Sequence, residues 1–400
     1  VGTGPEEQAL RALTTSLSLN RRVHFTGRID HAKLPEVLCE ADLYVQPSIG
    51  EEAFGISVAE AMACGLPVVA SRNGGLPEVV AENETGWLAM PGDSNQWATL
   101  LAEALGDPLR LQHSAGEVYN MTPPTQGVVS LMILGILDQL KLKQFTVDSP
   151  EYVHHCVEAT KQAFKVRDQY ITDPAYMQQH AQEFLSPAFL KTLAEKVNSS
   201  KALPWGAGRG PADTIWMGVV DGAGRSVSFI QSIYHEFGAG IVLPKTGINW
   251  QNRGCSFSLD PKALNTLEPY RKPFHTLNPA LALFKDGRSM VYGTMGGDGQ
   301  PQTQCAVFTR TAVYGLDPQD AISRPRWLLG RTWGQTSDTL KLESRFDPTL
   351  VKQLKEMGHD VEMLADFDES VGHAGCIIRE PSGILRGGWD PRSDGAVASF

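Results

Sequence analysis

Along residues 1–112, short apolar runs alternate with segments whose apolar positions recur every three or four residues. The runs at 23–27 (VHFTG), 41–48 (ADLYVQPS), 66–71 (LPVVAS) and 86–90 (GWLAM) have strand length, and the stretches between them carry helical spacing. Strand and helix in alternation predict a parallel sheet covered by helices, an α/β arrangement. From residue 113 the rhythm changes. A helical pattern runs from about 128 to 198, and a Gly/Pro/Ser-rich segment follows at 199–211. Period-two strands with Gly turns come next at 214–221, 226–234, 280–287 and 289–297, so this second region reads as α+β. The boundary is expected at 112/113, and no internal repeat links the two parts. The longest apolar run, VVSLMILGIL at 128–137, is far shorter than the roughly 20 residues of a membrane span and reads as a buried helix.

Charge narrows the partners. The 400 residues hold 45 Asp and Glu against 35 Lys and Arg, a formal net charge of −10, with no long basic run. A nucleic acid or an anionic membrane surface calls for clustered cations, so neither is an expected partner. Cys39, Cys64, Cys156, Cys255, Cys305 and Cys376 stand far apart, with neither a C-x-x-C pair nor a Cys/His cluster at ligand spacing. That pattern predicts free thiols in a reducing, cytoplasmic setting and no zinc or other metal. No cofactor is expected. The chain opens Val1-Gly2-Thr3-Gly4-Pro5, without an initiator Met or a charged-then-apolar leader, so any targeting signal is expected to be absent or upstream.

The first candidate chemistry lies in PSIGEEAFGISVAEAMACGLPVVASRNGGLPEVV, where Glu52 and Glu60 stand seven residues apart with Gly55 between them. A Gly turn entering a helix offers backbone N–H groups to a diphosphate, and a carboxylate can accept hydrogen bonds from sugar hydroxyls. Solvated charges on a helix face are the ordinary explanation of such a pair. The whole string, however, resembles the C-terminal domain of family 4 glycosyltransferases of the two-domain Rossmann-like type, over residues 1–112. The resemblance implies a nucleotide-sugar partner, with Glu52 facing the donor sugar, Glu60 the ribose hydroxyls, and Gly74 and Gly75 close to donor and phosphate. In the family this domain opens with a strand and a basic residue and follows an acceptor-binding domain, and residues 1–112 are expected to match only the part that comes after these.

The second lies in GRGPADTIWMGVVDGAGRSVSF, where Asp213-Thr214 turns a Gly/Pro-rich segment into an alternating strand. A β-branched Thr214 opens a strand well, and from the residues alone nothing more is needed. The surrounding motifs VYNMTPPTQG, RDQYITDP, SFIQSIYHEFGAGIVLPKTGINWQNRGCSFSL and YGTMGGDGQPQTQ resemble, in order, the γ-glutamyltransferase-type N-terminal nucleophile hydrolases, and most closely their amidohydrolase branch. The resemblance covers about residues 114–400 and implies the four-layer αββα fold, here shortened at its front. It implies self-cleavage between Asp213 and Thr214, Thr214 as nucleophile, Ser232 as the hydroxyl that hydrogen-bonds it, and Gly296 and Gly297 as oxyanion donors. Tyr234, Asn252, His275 and Thr276 match pocket and lid positions. The two fragments are expected to stay associated.

Departures from that family sharpen the substrate. The aspartate pair that precedes "FS", one member of which holds an α-ammonium, is Cys255-Ser256 here; a serine pair is His275-Thr276, and an Asn is Tyr234. A pocket without that carboxylate is expected to favour a small acidic amide such as oxamate over γ-glutamyl amides. His235 and Glu236 are further polar candidates for the pocket. The long upstream region of the family is replaced by the glycosyltransferase-like part, and the join is expected near 107–118. Three readings follow: a self-processing amidohydrolase, a nucleotide-sugar-dependent glycosyltransferase, and an inactive truncated fusion of the two.

Overall fold

A computed structural model describes residues 4–20, 22–50, 52–82, 85–105, 109–206, 213–331 and 337–399. They belong to two compact units, Val1–Asp107 and Pro108–Phe400.

In the first unit β1 (Tyr44–Gln46), β2 (Val68–Ser71) and β3 (Gly86–Ala89) form a parallel sheet in the order β1-β2-β3. Central β2 is buried along its whole length, as a parallel strand covered on both faces must be. Val58 and Ala61 of helix Ile56–Ala63 and Leu76 of helix Leu76–Val79 pack with Val68, Ala70 and Leu88 into the core. The strand expected at 23–27 does not form. No described strand lies beside it to complete a ladder, and Phe25 instead sits under the Arg11 guanidinium at 4.4 Å.

The second unit carries β4 (Leu109–His113), β5 (Gly116–Asn120), β6 (Asp213–Val220), β7 (Ser226–Tyr234), β8 (Ala280–Phe284), β9 (Ser289–Thr294), β10 (Trp327–Leu329), β11 (Leu340–Glu343), β12 (Val361–Leu364), β13 (Ala374–Arg379) and β14 (Leu385–Trp389). Six of them form an antiparallel sheet in the order β14-β13-β9-β8-β5-β4. The domain boundary expected at 112/113 therefore moves: Leu109, Leu111 and His113 alternate inward on β4 and are part of this sheet. Helix Gly127–Gln139, buried from Gly127 to Leu137, packs on β4 and β5, and helix Gln300–Phe308 packs on β9. Helix Pro150–Tyr170 packs against both of these helices. The Gly/Pro/Ser-rich segment forms neither helix nor strand over 199–206, and 207–211 lie outside the described residues.

The other face of the sheet meets the β6–β7 hairpin, which makes β9 a strand buried on both faces. The contact is carried by Trp216. A Cβ at Gly293 would fall 2.1 Å from Trp216 Cδ1, and one at Gly375 would fall 2.4 Å from its Cζ3, so the indole lies flat on backbone that only glycine leaves bare. Trp216 Nε1 donates to Ser228 Oγ at 3.0 Å, which satisfies its polar edge. On the outer face of the hairpin Ile215, Met217, Val219, Val227 and Phe229 are exposed at every second position. The described residues thus form helix, sheet and sheet layers, with no layer over that outer face.

Gly293→Ala is expected to destabilise the second unit by about 1–3 kcal/mol through overpacking against Trp216, read as a lower urea midpoint. Gly222→Ala has nothing within 4 Å of its new methyl, and is expected to change stability by less than about 0.5 kcal/mol.

Candidate active site

Thr214 sits where the β6–β7 ladder slips. Asp213 pairs with Tyr234, but Ile215 pairs with Gln231, so Thr214 stands opposite two residues, Ser232 and Ile233. One extra residue on β7 makes a β-bulge, a device that twists a strand and re-aims its side chains. Thr214 is buried, 8% exposed, at this point. Ser232 Oγ accepts from Tyr234 N at 2.9 Å, and Tyr234 has φ +80°, an unfavourable angle for an aromatic residue. The strand therefore ends in a strained residue, Tyr234, across from Asp213 and next to the bulge that faces Thr214.

A loop is fastened to that end of β7. Asn252 N donates to Ile233 O at 3.2 Å, and His235 N donates to Asn252 Oδ1 at 3.0 Å. Asn252 thus acts through backbone contacts that fix the loop. His235 stacks on Tyr234 at 4.4 Å, and the Arg253 guanidinium covers the Tyr234 ring at 3.9 Å. Beneath the loop is a cavity of about 470 Å³, lined by Tyr234, Arg253, Cys255, Ser256, Thr276, Asp168 and Asp298 among others. Thr214, Ser232, Asn252 and His275 are not among its lining residues.

Gly296 and Gly297 form the turn between β9 and the buried helix Gln300–Phe308. Their φ values, +118° and +52°, lie in the region that favours glycine. Gly299 N donates to Gly296 O at 2.7 Å, and Gln126 Nε2 donates to Gly297 O at 2.7 Å. The carbonyls are thereby held, while neither glycine's N–H donates to another described group. Backbone donors left without a described acceptor are of the kind that can receive a developing oxyanion.

Sequence reasoning assigned no role to the two residues that tie this site together. Arg167, fully buried on helix Pro150–Tyr170, reaches Gln126 Oε1 at 3.3 Å, Asp168 Oδ1 at 2.8 Å and Asp298 Oδ1 at 3.1 Å. Burial opposes its charge, but Asp298 and Asp168 outweigh that and raise its pKa. Gln126, also fully buried, bridges onward from Gly297 O to Thr276 O at 3.3 Å. Both residues lie inside TPPTQG and RDQYITDP, and a charged residue in a buried helical stretch was the available signal. Thr276 Oγ1 and His275 Nδ1 are buried without hydrogen-bond partners among the described residues.

In the first unit Gly75 N donates to Glu52 O at 2.7 Å, and a Cβ on Gly74 would fall 2.1 Å from the same oxygen. The two glycines are thus explained by close approach to the Glu52–Ala53 backbone. Glu60 Oε1 meets His31 Nε2 at 2.8 Å. Elsewhere in the chain, His154, Glu158 and His359 are buried together. Their atoms are already engaged: His154 Nδ1 with His359 Nε2 at 2.8 Å, His154 Nε2 with Asn198 O, and Glu158 with Lys161 Nζ at 2.7 Å. This is a hydrogen-bonded core network. All six cysteines are free thiols, and among the described residues no helix is long and apolar enough to cross a membrane.

Comparison with known proteins finds two families along the chain, with matches that overlap over residues 94–118. The family model for gamma-glutamyltranspeptidase matches residues 94–400, and that for glycosyl transferases group 1 matches residues 1–118. An oxamate amidohydrolase proenzyme of Klebsiella pneumoniae is 60% identical over 293 residues, covering 73% of this chain and 55% of the relative. A glutathione hydrolase-like YwrD proenzyme of Bacillus subtilis is 43% identical over 293 residues, covering 73% and 56%. The crystal structure of a cephalosporin acylase from Bacillus halodurans matches with a TM-score of 0.64 at 33% identity, covering 74% of this chain and 53% of that one. The chain spans about half the length of these relatives.

Burial, with the Arg253 charge adding to it, pushes His275 down to about 4. The unfolded chain then takes up a proton at His275 between about pH 6.5 and 4 while the folded one does not. This contribution to stability is full above about pH 6.5 and falls as pH drops towards 4. His275→Gln is expected to remove on the order of 2 kcal/mol of the acid loss, seen by comparing urea midpoints at pH 7 and pH 4.5.

Proposed function

Because the chain belongs to the gamma-glutamyltranspeptidase family, we propose that its second unit is a self-processing amidohydrolase that uses Thr214 as its nucleophile. The observation that carries this is the bulge: a buried threonine, at the first turn of register in β6, faces Ser232 across the ladder beside a cavity-lining Tyr234. In self-cleavage Thr214 Oγ attacks the Asp213 carbonyl carbon, its proton passes to the amide nitrogen, and the C–N bond gives way to an ester. Water then hydrolyses the ester, leaving the Asp213 carboxylate, the Thr214 hydroxyl and a free α-amine. In turnover that amine, with an ordinary pKa near 8, takes the Oγ proton as Oγ attacks the substrate carbonyl and passes it to the departing amine. A second attack by water frees the acid.

Ser232 would orient the nucleophile, and the Gly296 and Gly297 amides would receive the oxyanion. Tyr234, Asn252, His275 and Thr276 would shape the pocket and its covering loop. The substrate we assign is a small acidic amide such as oxamate, in keeping with Cys255-Ser256 where an ammonium-binding carboxylate would stand. The two fragments would remain together, because β5 before the cut pairs along its length with β8 after it. The free thiols accord with a cytoplasmic setting. A second reading, nucleotide-sugar binding by the first unit through Glu52, Glu60, Gly74 and Gly75, is favoured by the family match over 1–118.

Intact mass after a day at neutral pH is expected to give two fragments, 1–213 and 214–400, with Thr214→Ala remaining one chain. Loss of amide hydrolysis in that variant should exceed about 1000-fold. An uncut parent chain would remove the proposal. Hydrolysis of γ-glutamyl amides is expected to be at least tenfold poorer than that of oxamate in kcat/KM, and the reverse order would refute the assignment of the pocket.

A further inference from the structure

The buried arginines of the second unit divide unequally. Arg167, Arg271, Arg310, Arg326 and Arg392 each have a carboxylate within ion-pair distance. Arg253, also buried, has none among the described residues. Its guanidinium lies over the Tyr234 ring, and no described acceptor takes a hydrogen bond from it. The two acidic residues that share its cavity, Asp168 and Asp298, are both held by Arg167. A desolvated cation without a counter-charge is costly to stability, and a protein keeps one where something else supplies the anion. Burial pushes this guanidinium down to about 10, and it stays charged at neutral pH.

We propose that Arg253 is the carboxylate-binding residue of the cavity, and that its ligand is the carboxylate of a small acidic amide or of the acid that hydrolysis leaves. A guanidinium offers two parallel N–H donors in the geometry of a carboxylate, and the aromatic ring behind it fixes the plane of the fork. Thr276, buried on the wall of the same cavity with its Oγ1 unpartnered, supplies a further hydroxyl. Arg253 is tethered by its neighbour: Asn252 binds Ile233 O and His235 N, which sets the guanidinium beside the end of β7 that faces Thr214. The assignment also explains the Cys255-Ser256 pair. A second carboxylate two or three residues from Arg253 would neutralise the anion site, whereas neutral side chains leave the charge available.

The proposal rests on the hydrolase reading for its substrate but not for its anion, so anion binding is measured apart from turnover. The probe is oxalate, which has no amide to cleave, with neutral oxamide as control, titrated calorimetrically into the parent chain, Arg253→Met and Arg253→Lys. Oxalate is expected to bind Arg253→Met at least tenfold more weakly than the parent, with Arg253→Lys between them and oxamide unchanged throughout. Oxalate affinity within twofold of the parent in Arg253→Met overturns the proposal. Should that variant not fold, Arg253→Lys decides: at least threefold weaker oxalate binding supports the proposal, and unchanged binding overturns it. In the processed enzyme Arg253→Met is expected to raise KM for oxamate at least tenfold while leaving that for oxamide within twofold; equal losses for both would overturn it. Failure to cleave before Thr214 with Arg253-dependent oxalate binding intact would sink the hydrolase reading and leave this one standing.

Discussion

The second unit is organised around one buried cation. Arg167 is removed from water on a helix, and it is tolerable there because Asp168, Asp298 and Gln126 meet it within 3.3 Å. Each partner then carries the constraint elsewhere. Asp298 anchors the turn that holds Gly296 and Gly297, while Gln126 holds the carbonyls of Gly297 and Thr276. Removing any one of these groups leaves another buried charge or amide unmet, which costs more than the lost contact itself. Such a network holds the backbone of the Gly296–Gly297 turn in place, and the proposed oxyanion role would require that rigidity.

The sheet supplies the rest of the precision. β9 is covered by helix Gln300–Phe308 on one face and by the β6–β7 hairpin on the other, with Trp216 seated on Gly293 and Gly375. The bulge at Thr214, the strained Tyr234 and the loop tethered by Asn252 all gather at the end of the hairpin that this packing fixes. Charge is divided around the cavity: two of its lining carboxylates are bound to Arg167, and Arg253 has no described counter-charge.

Much of this was legible in the chain. Alternation at 226–234, 280–287 and 289–297 marks β7, β8 and β9, and the apolar run at 128–137 marks a helix with no solvent face. The family motifs drew attention to the segments that hold the bulge at Thr214 and the Gly296–Gly297 turn, whose roles are proposals. β4 was not legible, because Leu109, Leu111 and His113 are three inward positions in a region whose preceding texture is different. The opposite failure occurred at 23–27, where Val23 and Phe25 alternate but no strand among the described residues pairs with them. The bulge depends on a one-residue slip between two strands, and the lack of a counter-charge at Arg253 among the described residues depends on positions far apart in sequence. Both are properties of assembled elements, so local patterning does not contain them.

The ladder between β5 and β8 has a consequence for how the molecule could be made. Its strands lie about 160 residues apart on one chain, so while that chain is continuous they meet by closing a loop, at a rate that does not depend on protein concentration. A cut before Thr214 would leave every bond of the ladder in place yet turn the same encounter into one between separate molecules. The processed protein would then remember its covalent history: once denatured, it would recover only as fast as its two pieces find each other in dilute solution.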